Sequence, residues 1–232
     1  MINQKRILAV VPARGGSKGI PLKNLYPLKG ISLVARVAKF IKDISIIDKA
    51  IVSTDHPKIA EEAIKHGLES PFMRPKKISG DRVSDSDVLM HALEYMENID
   101  NVKYDIVLLL QPTSPMRKKD EVVGVIDMLI KKNCDAVWTV SETDSKSHPL
   151  KQLNILDSKI SYYDQYGANI IARQDLEKTY HRNGVAYVIT RECLKNNKSL
   201  MGNNTCAYIC TQKHVSIDTL DDIKYIEYLL ND

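Results

Sequence analysis

Apolar residues along this chain follow two rhythms. Short unbroken runs at 7–11 (ILAVV) and 106–110 (IVLLL), and a briefer one inside 49–55 (KAIVSTD), end in polar or turn residues and predict strands buried on both faces. Between them, 32–42 (SLVARVAKFIK) sets Leu33, Val34, Val37, Ala38 and Ile41 on one helical face. Residues 57–66 predict the next helix, with Pro57 in its first turn and Gly67 at its end. A third helix runs through Val88, Leu89, Ala92, Leu93 and Met96, capped by either Ser84 or Asp85. Residues 120–132 predict an amphipathic helix and 135–141 (DAVWTVS) another strand. Such alternation implies an α/β fold, doubly wound, with three α/β/α layers on a mostly parallel sheet.

The rhythm weakens from 142 to 180, where the chain leaves the sheet as a hairpin-like arm before 168–189 returns to it. At the end, VSID (215–218) reads as a strand end, followed by a helix that Thr219 and Asp222 open as a T-x-x-D capping box. The length of 232 residues fits one domain, 1–232, with 142–180 as its insertion.

The first apolar run opens into PARGGSKGIPLKNL (12–25). Arg14, Lys18 and Lys23 bring three cations into ten residues, while Gly15, Gly16 and Gly19 let the backbone turn tightly and offer bare N–H groups. A loop of this kind directly after a buried strand, where open α/β sheets place their ligands, suits a polyphosphate. Lys18 is either a phosphate ligand or a residue that orders the loop. Neither G-x-G-x-x-G nor a P-loop is present, so those two phosphate folds are not indicated. Asp218, at a predicted strand end, is of the type that holds Mg²⁺.

Composition narrows the classes further. The hydrophobic share of 44% and charged share of 27% are those of a globular protein. No apolar run nears the roughly 20 residues of a membrane span, so no membrane association and a cytoplasmic address are expected. A formal charge of +4 suits anionic small molecules and falls short of a nucleic-acid binder. Cys134, Cys193, Cys206 and Cys210 contain no C-x-x-C; Cys206 and Cys210 share a strand face without a histidine spaced to complete a zinc site, so reduced thiols are expected.

The stretch 13–25, ARGGSKGIPLKNL, resembles the signature of the acylneuraminate cytidylyltransferases, which make CMP-activated sialic acids and related nonulosonates. LLLQPTSPMR (108–117) and the segment 173–187 are further matches. The resemblance implies a nucleotide-diphospho-sugar transferase-like fold, a homodimer joined through the arm, CTP and a nine-carbon sugar acid as substrates, and Mg²⁺ as the cofactor. Carried over by position, it gives nucleotide contacts to Ala13, Arg14, Gly15, Gly16, Lys18, Asn24, Arg74 and Ser84, and catalytic roles to Arg14, Lys23 and Gln111. Gln111, Lys151, Arg173, Asn183 and Tyr187 would hold the sugar, with Lys151 and Arg173 on its carboxylate; Lys151 reads equally as a solubilising surface charge. Asp218 would hold the metal. The chain departs from the family at three places. Asp85 stands where a serine is common. His181 stands where an arginine is frequent, which moves an anion contact to Arg182 or removes it. Ser216 replaces a second aspartate two residues before Asp218. Sialic, legionaminic and pseudaminic acids all remain open as substrates, and the base is a side chain, a metal-bound hydroxide or water. A KDO-type cytidylyltransferase and a non-catalytic nucleotide sensor are the alternatives.

Overall fold

The computed structural model describes residues 2 and 4–231. Its elements follow in order: β1 (Ile7–Pro12), a small hairpin of β2 (Pro27–Leu28) and β3 (Ile31–Ser32), α1 (Leu33–Lys42), β4 (Lys49–Ser53), α2 (Pro57–Lys65), α3 (Asp85–Asp100), β5 (Ile106–Leu109), α4 (Lys119–Lys131), β6 (Ala136–Glu142), β7 (Leu153–Leu156), β8 (Lys159–Tyr162), β9 (Tyr180–Thr190), α5 (Arg191–Asn197), β10 (Thr205–Ile209) and α6 (Leu220–Leu229). Six strands form one sheet in the order β10-β6-β9-β5-β1-β4. β1 pairs in parallel with β4 and β5, and β10 in parallel with β6; only β9 runs antiparallel, between β5 and β6.

The period of two along β1 sorts the core. Ile7, Ala9 and Val11 pack with the apolar faces of α1, α2 and α4, whereas Leu8 and Val10 pack with α3 and α5. The result is the expected three-layer α/β/α arrangement. A third, smaller cluster joins Ile20, Leu28 and Leu33 to Ile217, Ile223 and Ile226, and so fastens α6 against the start of the chain. Among the described residues no helix is long and apolar enough to cross a membrane.

Helix starts follow the sequence chemistry. The Ser32 hydroxyl accepts from Ala35 N, and the Ser84 hydroxyl accepts from Asp87 N, so Ser84 rather than Asp85 caps α3. Thr219 and Asp222 form the capping box of α6.

Two expectations are corrected. The segment VSID is no strand; the sheet edge is β10, five residues (TCAYI) with little alternation to announce them. Cys134 and Cys206 are joined in a disulfide that ties β10 to the loop before β6, because parallel pairing of β10 with β6 brings the two side chains together. Cys193 and Cys210 are free and buried.

The arm is built of β7 and β8, which pair only with each other, and all eight of their residues are exposed.

The Asp222 carboxylate accepts from both Asp218 N (2.9 Å) and Thr219 N (2.7 Å), and the first of these bonds is the main cause holding its carboxyl below the ordinary range. A depressed carboxyl contributes stability that is complete above the unfolded-chain value and lost as pH falls through the folded value. Chemical denaturation of wild type and Asp222→Asn should therefore show a stability gap that is steady above about pH 5 and closes toward about pH 2. A gap independent of pH would contradict this role.

Candidate active site

The loops after β1, β4 and β5 meet at one rim because these three strands are neighbours running in the same direction. There the loops after β1 and β5, with the segment 74–85 between α2 and the start of α3, enclose a cleft of about 460 Å³, lined among others by Arg14, Ser17, Lys18, Gly19, Lys23, Asn24, Arg74, Asp81, Asp85, Gln111, Thr113 and Asp218.

Its basic wall is held by specific bonds. Asn24, buried, donates from Nδ2 to the Arg14 carbonyl (2.9 Å) and so closes the turn. Lys23 Nζ donates to the Ile217 carbonyl (2.7 Å) and pairs with Asp218 Oδ1 (3.0 Å), linking the first loop to the last. Gly19 is required here, since a Cβ on it would collide with the Asp218 carbonyl. Arg14 and Lys18 share one counter-ion, Asp81, at 2.5 and 2.6 Å. Lys18 first and Arg14 second hold the Asp81 carboxyl below its usual range. Both cations thus grip a surface carboxylate that a phosphate could displace.

Arg74 lies beyond α2, where the chain returns beside the end of β4, its N–H donating to the Thr54 carbonyl (2.7 Å). It is buried, and its Nε and Nη2 have no protein partner. Burial lowers its guanidinium pKa, opposed by the nearby Asp55.

Across the cleft, Gln111 Nε2 donates to Asp85 Oδ2 at 3.3 Å. Burial pushes the Asp85 carboxyl up, against the opposing pull of Arg182 and Arg74. Asp85 also lines a second cavity of about 410 Å³ with Ser84, Ser86, Trp138, Arg182 and the loop Lys198, Ser199 and Leu200. The Arg182 guanidinium lies 5.5 Å over the Trp138 ring, and Trp138 Nε1 donates to the Leu200 carbonyl (2.9 Å). The two cavities therefore share the Asp85 carboxylate, with a polyanion-type site on one side and two cations, Arg182 and Lys198, on the other.

A family model described as "Cytidylyltransferase" matches residues 8–230. The chain belongs to the cytidylyltransferase family. This cytidylyltransferase is 28% identical over 224 residues to the pseudaminic acid cytidylyltransferase of Campylobacter jejuni, covering 96% of this chain and 95% of that one. It is 30% identical over 215 residues to the CMP-N,N'-diacetyllegionaminic acid synthase of Legionella pneumophila, covering 92% and 90%. It is also 30% identical to the N-acylneuraminate cytidylyltransferase of Streptococcus agalactiae, over 94% of this chain and 52% of that longer protein. Among solved structures, a CMP:2-keto-3-deoxy-manno-octonic acid synthetase complexed with CTP superposes with a TM-score of 0.74 at 16% identity, over 98% of this chain and 99% of that one, a likeness of fold. Family membership makes the chain an enzyme, a nucleotidyltransferase.

Of the residues singled out from the sequence, the cleft gathers Arg14, Lys18, Lys23, Asn24, Arg74, Gln111 and Asp218. Others stand elsewhere. Ala13 is buried in the core. The Gly15 N–H is taken by Asp55 Oδ1 (2.8 Å), and neither Gly15 nor Gly16 lines the cleft. Ser84 caps α3 and borders the second cavity. Asn183 is turned inward, donating from Nδ2 to Ser141 Oγ (3.0 Å) and accepting from Val185 N (3.1 Å). Tyr187 is packed against Trp138 with its hydroxyl accepting from Gly184 N (2.9 Å). Both of these side chains brace β9, and neither lines the cleft or the second cavity. Lys151 and Arg173 are exposed on the arm, outside the cleft of their own chain.

Asp55, Asp81, Trp138 and the 198–200 loop were not read from the sequence. Their roles come from long-range proximity, although the acids near the R-P segment offered a faint signal as counter-ions for its cations.

Gly184 sits in β9 at φ +71°, and a Cβ there would meet Ser114 Oγ at 2.5 Å and Gln111 Oε1 at 2.9 Å. The Gly184→Ala variant should lose about 1–3 kcal/mol in denaturant melts and, with Gln111 pushed aside, on the order of 100-fold in turnover. Wild-type turnover would show that the position of Gln111 is immaterial.

Proposed function

We propose that this cytidylyltransferase couples CTP to the 2-hydroxyl of a nine-carbon sugar acid of the sialic, legionaminic or pseudaminic kind, releasing the CMP-sugar and pyrophosphate. One observation carries the reading: four cations, Arg14, Lys18, Lys23 and Arg74, face a cleft whose far wall is Gln111 and Asp85, and Asp85 also borders a cavity holding Arg182 and Lys198. The names of the similar enzymes support the choice of acid. The triphosphate lies along the cations, and the sugar enters from the second cavity with its carboxylate toward a cation.

The sugar oxygen attacks the α-phosphorus, a P–O bond to the sugar forms, and the bond to the β-phosphate oxygen breaks with its electrons leaving on pyrophosphate. Arg14 and Lys23 stabilise the charge that gathers on the phosphates, with Lys18 released from Asp81 to join them. Gln111 aims the acceptor. The hydroxyl proton passes to Asp85, the one carboxylate that borders both cavities and whose burial favours the protonated form. Asp218 is exposed, offers hard oxygen donors beside the phosphate cations, and fits Mg²⁺, which commonly takes one or two carboxylates plus substrate phosphates. Held there by Asp218, Mg²⁺ would supply positive charge against the triphosphate and so favour departure of pyrophosphate. With Ser216 in place of a second acid, we assign one metal to this motif. We place the reaction in the cytoplasm, where nucleoside triphosphates are kept.

The arm exposes Ile155, Leu156, Ile160, Tyr163, Tyr166 and Ile171, with Ile171 95% accessible. A lone hairpin so apolar is poorly stable in water, and a second copy of the chain would cover it. In that homodimer Lys151 and Arg173 would reach the partner's sugar site.

Pyrophosphate release should require CTP and at least one of the three acids, and Arg14→Ala should lower it on the order of 10²–10³-fold with the fold intact. Activity with KDO alone among the acids would favour the neighbouring reading, and CTP binding without any release would favour a sensor. For the arm, co-expressing Arg14→Ala with Arg173→Ala should restore roughly a quarter of wild-type activity, since half the dimers are mixed and each has one intact site. No restoration would reject the shared site while leaving the chemistry standing.

A further inference from the structure

Away from both cavities, three metal-type donors from distant parts of the chain converge. They are Glu121 in the first turn of α4, Cys210 just past β10, and His214 four residues further on. One ligating atom of each lies within 4.8 Å of the other two. The side chains are withdrawn from solvent, that of His214 to 2% and that of Glu121 to 6%. His214 Nε2 stands 2.6 Å from Glu121 Oε1, and the Cys210 thiol is also turned to that carboxylate. The other ring nitrogen, His214 Nδ1, is buried without a partner.

The backbone around these donors is already fixed. Cys210 N donates to the Val140 carbonyl (2.8 Å), and the second oxygen of Glu121 accepts from Lys118 N (2.9 Å). Burial pushes the Cys210 thiol up to about 12 and the Glu121 carboxylate adds to this, opposed in part by a hydrogen bond from the inward-turned Asn183 amide, so a thiolate here needs a cation beside it.

We propose that Glu121, Cys210 and His214 form a binding site for a zinc-class divalent cation, separate from the Mg²⁺ position at Asp218. One imidazole, one thiolate and one carboxylate make a borderline-soft set that favours Zn²⁺ over Mg²⁺. Bonds of about 2.0–2.3 Å put tetrahedral neighbours roughly 3.3–3.8 Å apart, so the trio needs adjustments of only about 1 Å. Binding releases the Cys210 thiol proton and the proton held between His214 and Glu121, and leaves the fourth position to water. The site does not use the Cys206 and Cys210 pair considered from the sequence; one of its three ligands, Glu121, comes from a helix remote in sequence. A cation here would anchor the segment 210–217, whose Ile217 N donates to the Thr113 carbonyl in the cleft wall (2.9 Å).

The test titrates the chelator-stripped full-length protein with Co²⁺ in excess Mg²⁺, following thiolate-to-cobalt absorption. The expected result is saturation at one equivalent, displacement by Zn²⁺, loss of the band in Cys210→Ser and its retention in Cys193→Ser, the other free cysteine. His214→Gln serves the same purpose should Cys210→Ser not fold. A wild-type protein that shows no thiolate band, or a band that survives in Cys210→Ser, overturns the assignment; an oxygen-only site at Asp218 gives no such band.

Discussion

Arg74 is buried with two guanidinium nitrogens that meet nothing in the protein, a few residues of space from Arg14 and its loop. Buried polar groups ordinarily find partners, and like charges crowded at a sheet rim repel. The fold accepts both costs because adjacency of β4, β1 and β5 leaves the loops after them no other place to go. Asp55, Asp81, Asp85 and Asp218 offset part of the charge from the flanks. The proposed triphosphate is an anion long enough to span these cations. Arg14, Lys18 and Lys23 already pair with Asp81 and Asp218, whereas two buried nitrogens of Arg74 have no partner, so the site combines solvent-facing ion pairs that a polyanion can displace with one unmet buried cation.

The C-terminal segment supplies the remaining wall. Its hold on the body is partly apolar, through Ile217, Ile223 and Ile226, and partly polar, through Lys23 and Thr113. Position of Asp218 therefore depends on the capping box of α6, where Asp222 binds two successive backbone amides. A single short helix at the end of the chain thus tunes a group that faces the first loop.

Much of this was legible in the residues. Unbroken apolar runs gave the central strands, one-sided spacing gave α1, and Ser84 and Thr219 marked helix starts because capping is a local hydrogen bond. The cationic loop was legible for the same reason: its charges and glycines lie within one turn of chain. What escaped depends on distant contacts. β10 carries too little alternation to be seen alone and exists because β6 offers it an edge. Asn183 and Tyr187 belong to a family motif, yet a bulged β9 turns them inward to brace the strand. Arg182, which is exposed beside them, takes the place at the cavity, stacked on a tryptophan from another strand. Neither partnership has a signature in local sequence.

If the cations are the organising demand, affinity must reside in the phosphates. Calorimetric titration with CTP and with CMP at rising ionic strength measures this directly. The expected outcome is CTP binding more than about tenfold tighter than CMP at low salt, with the advantage shrinking as salt screens the cleft. Equal affinities for the two nucleotides, unchanged by salt, would contradict it.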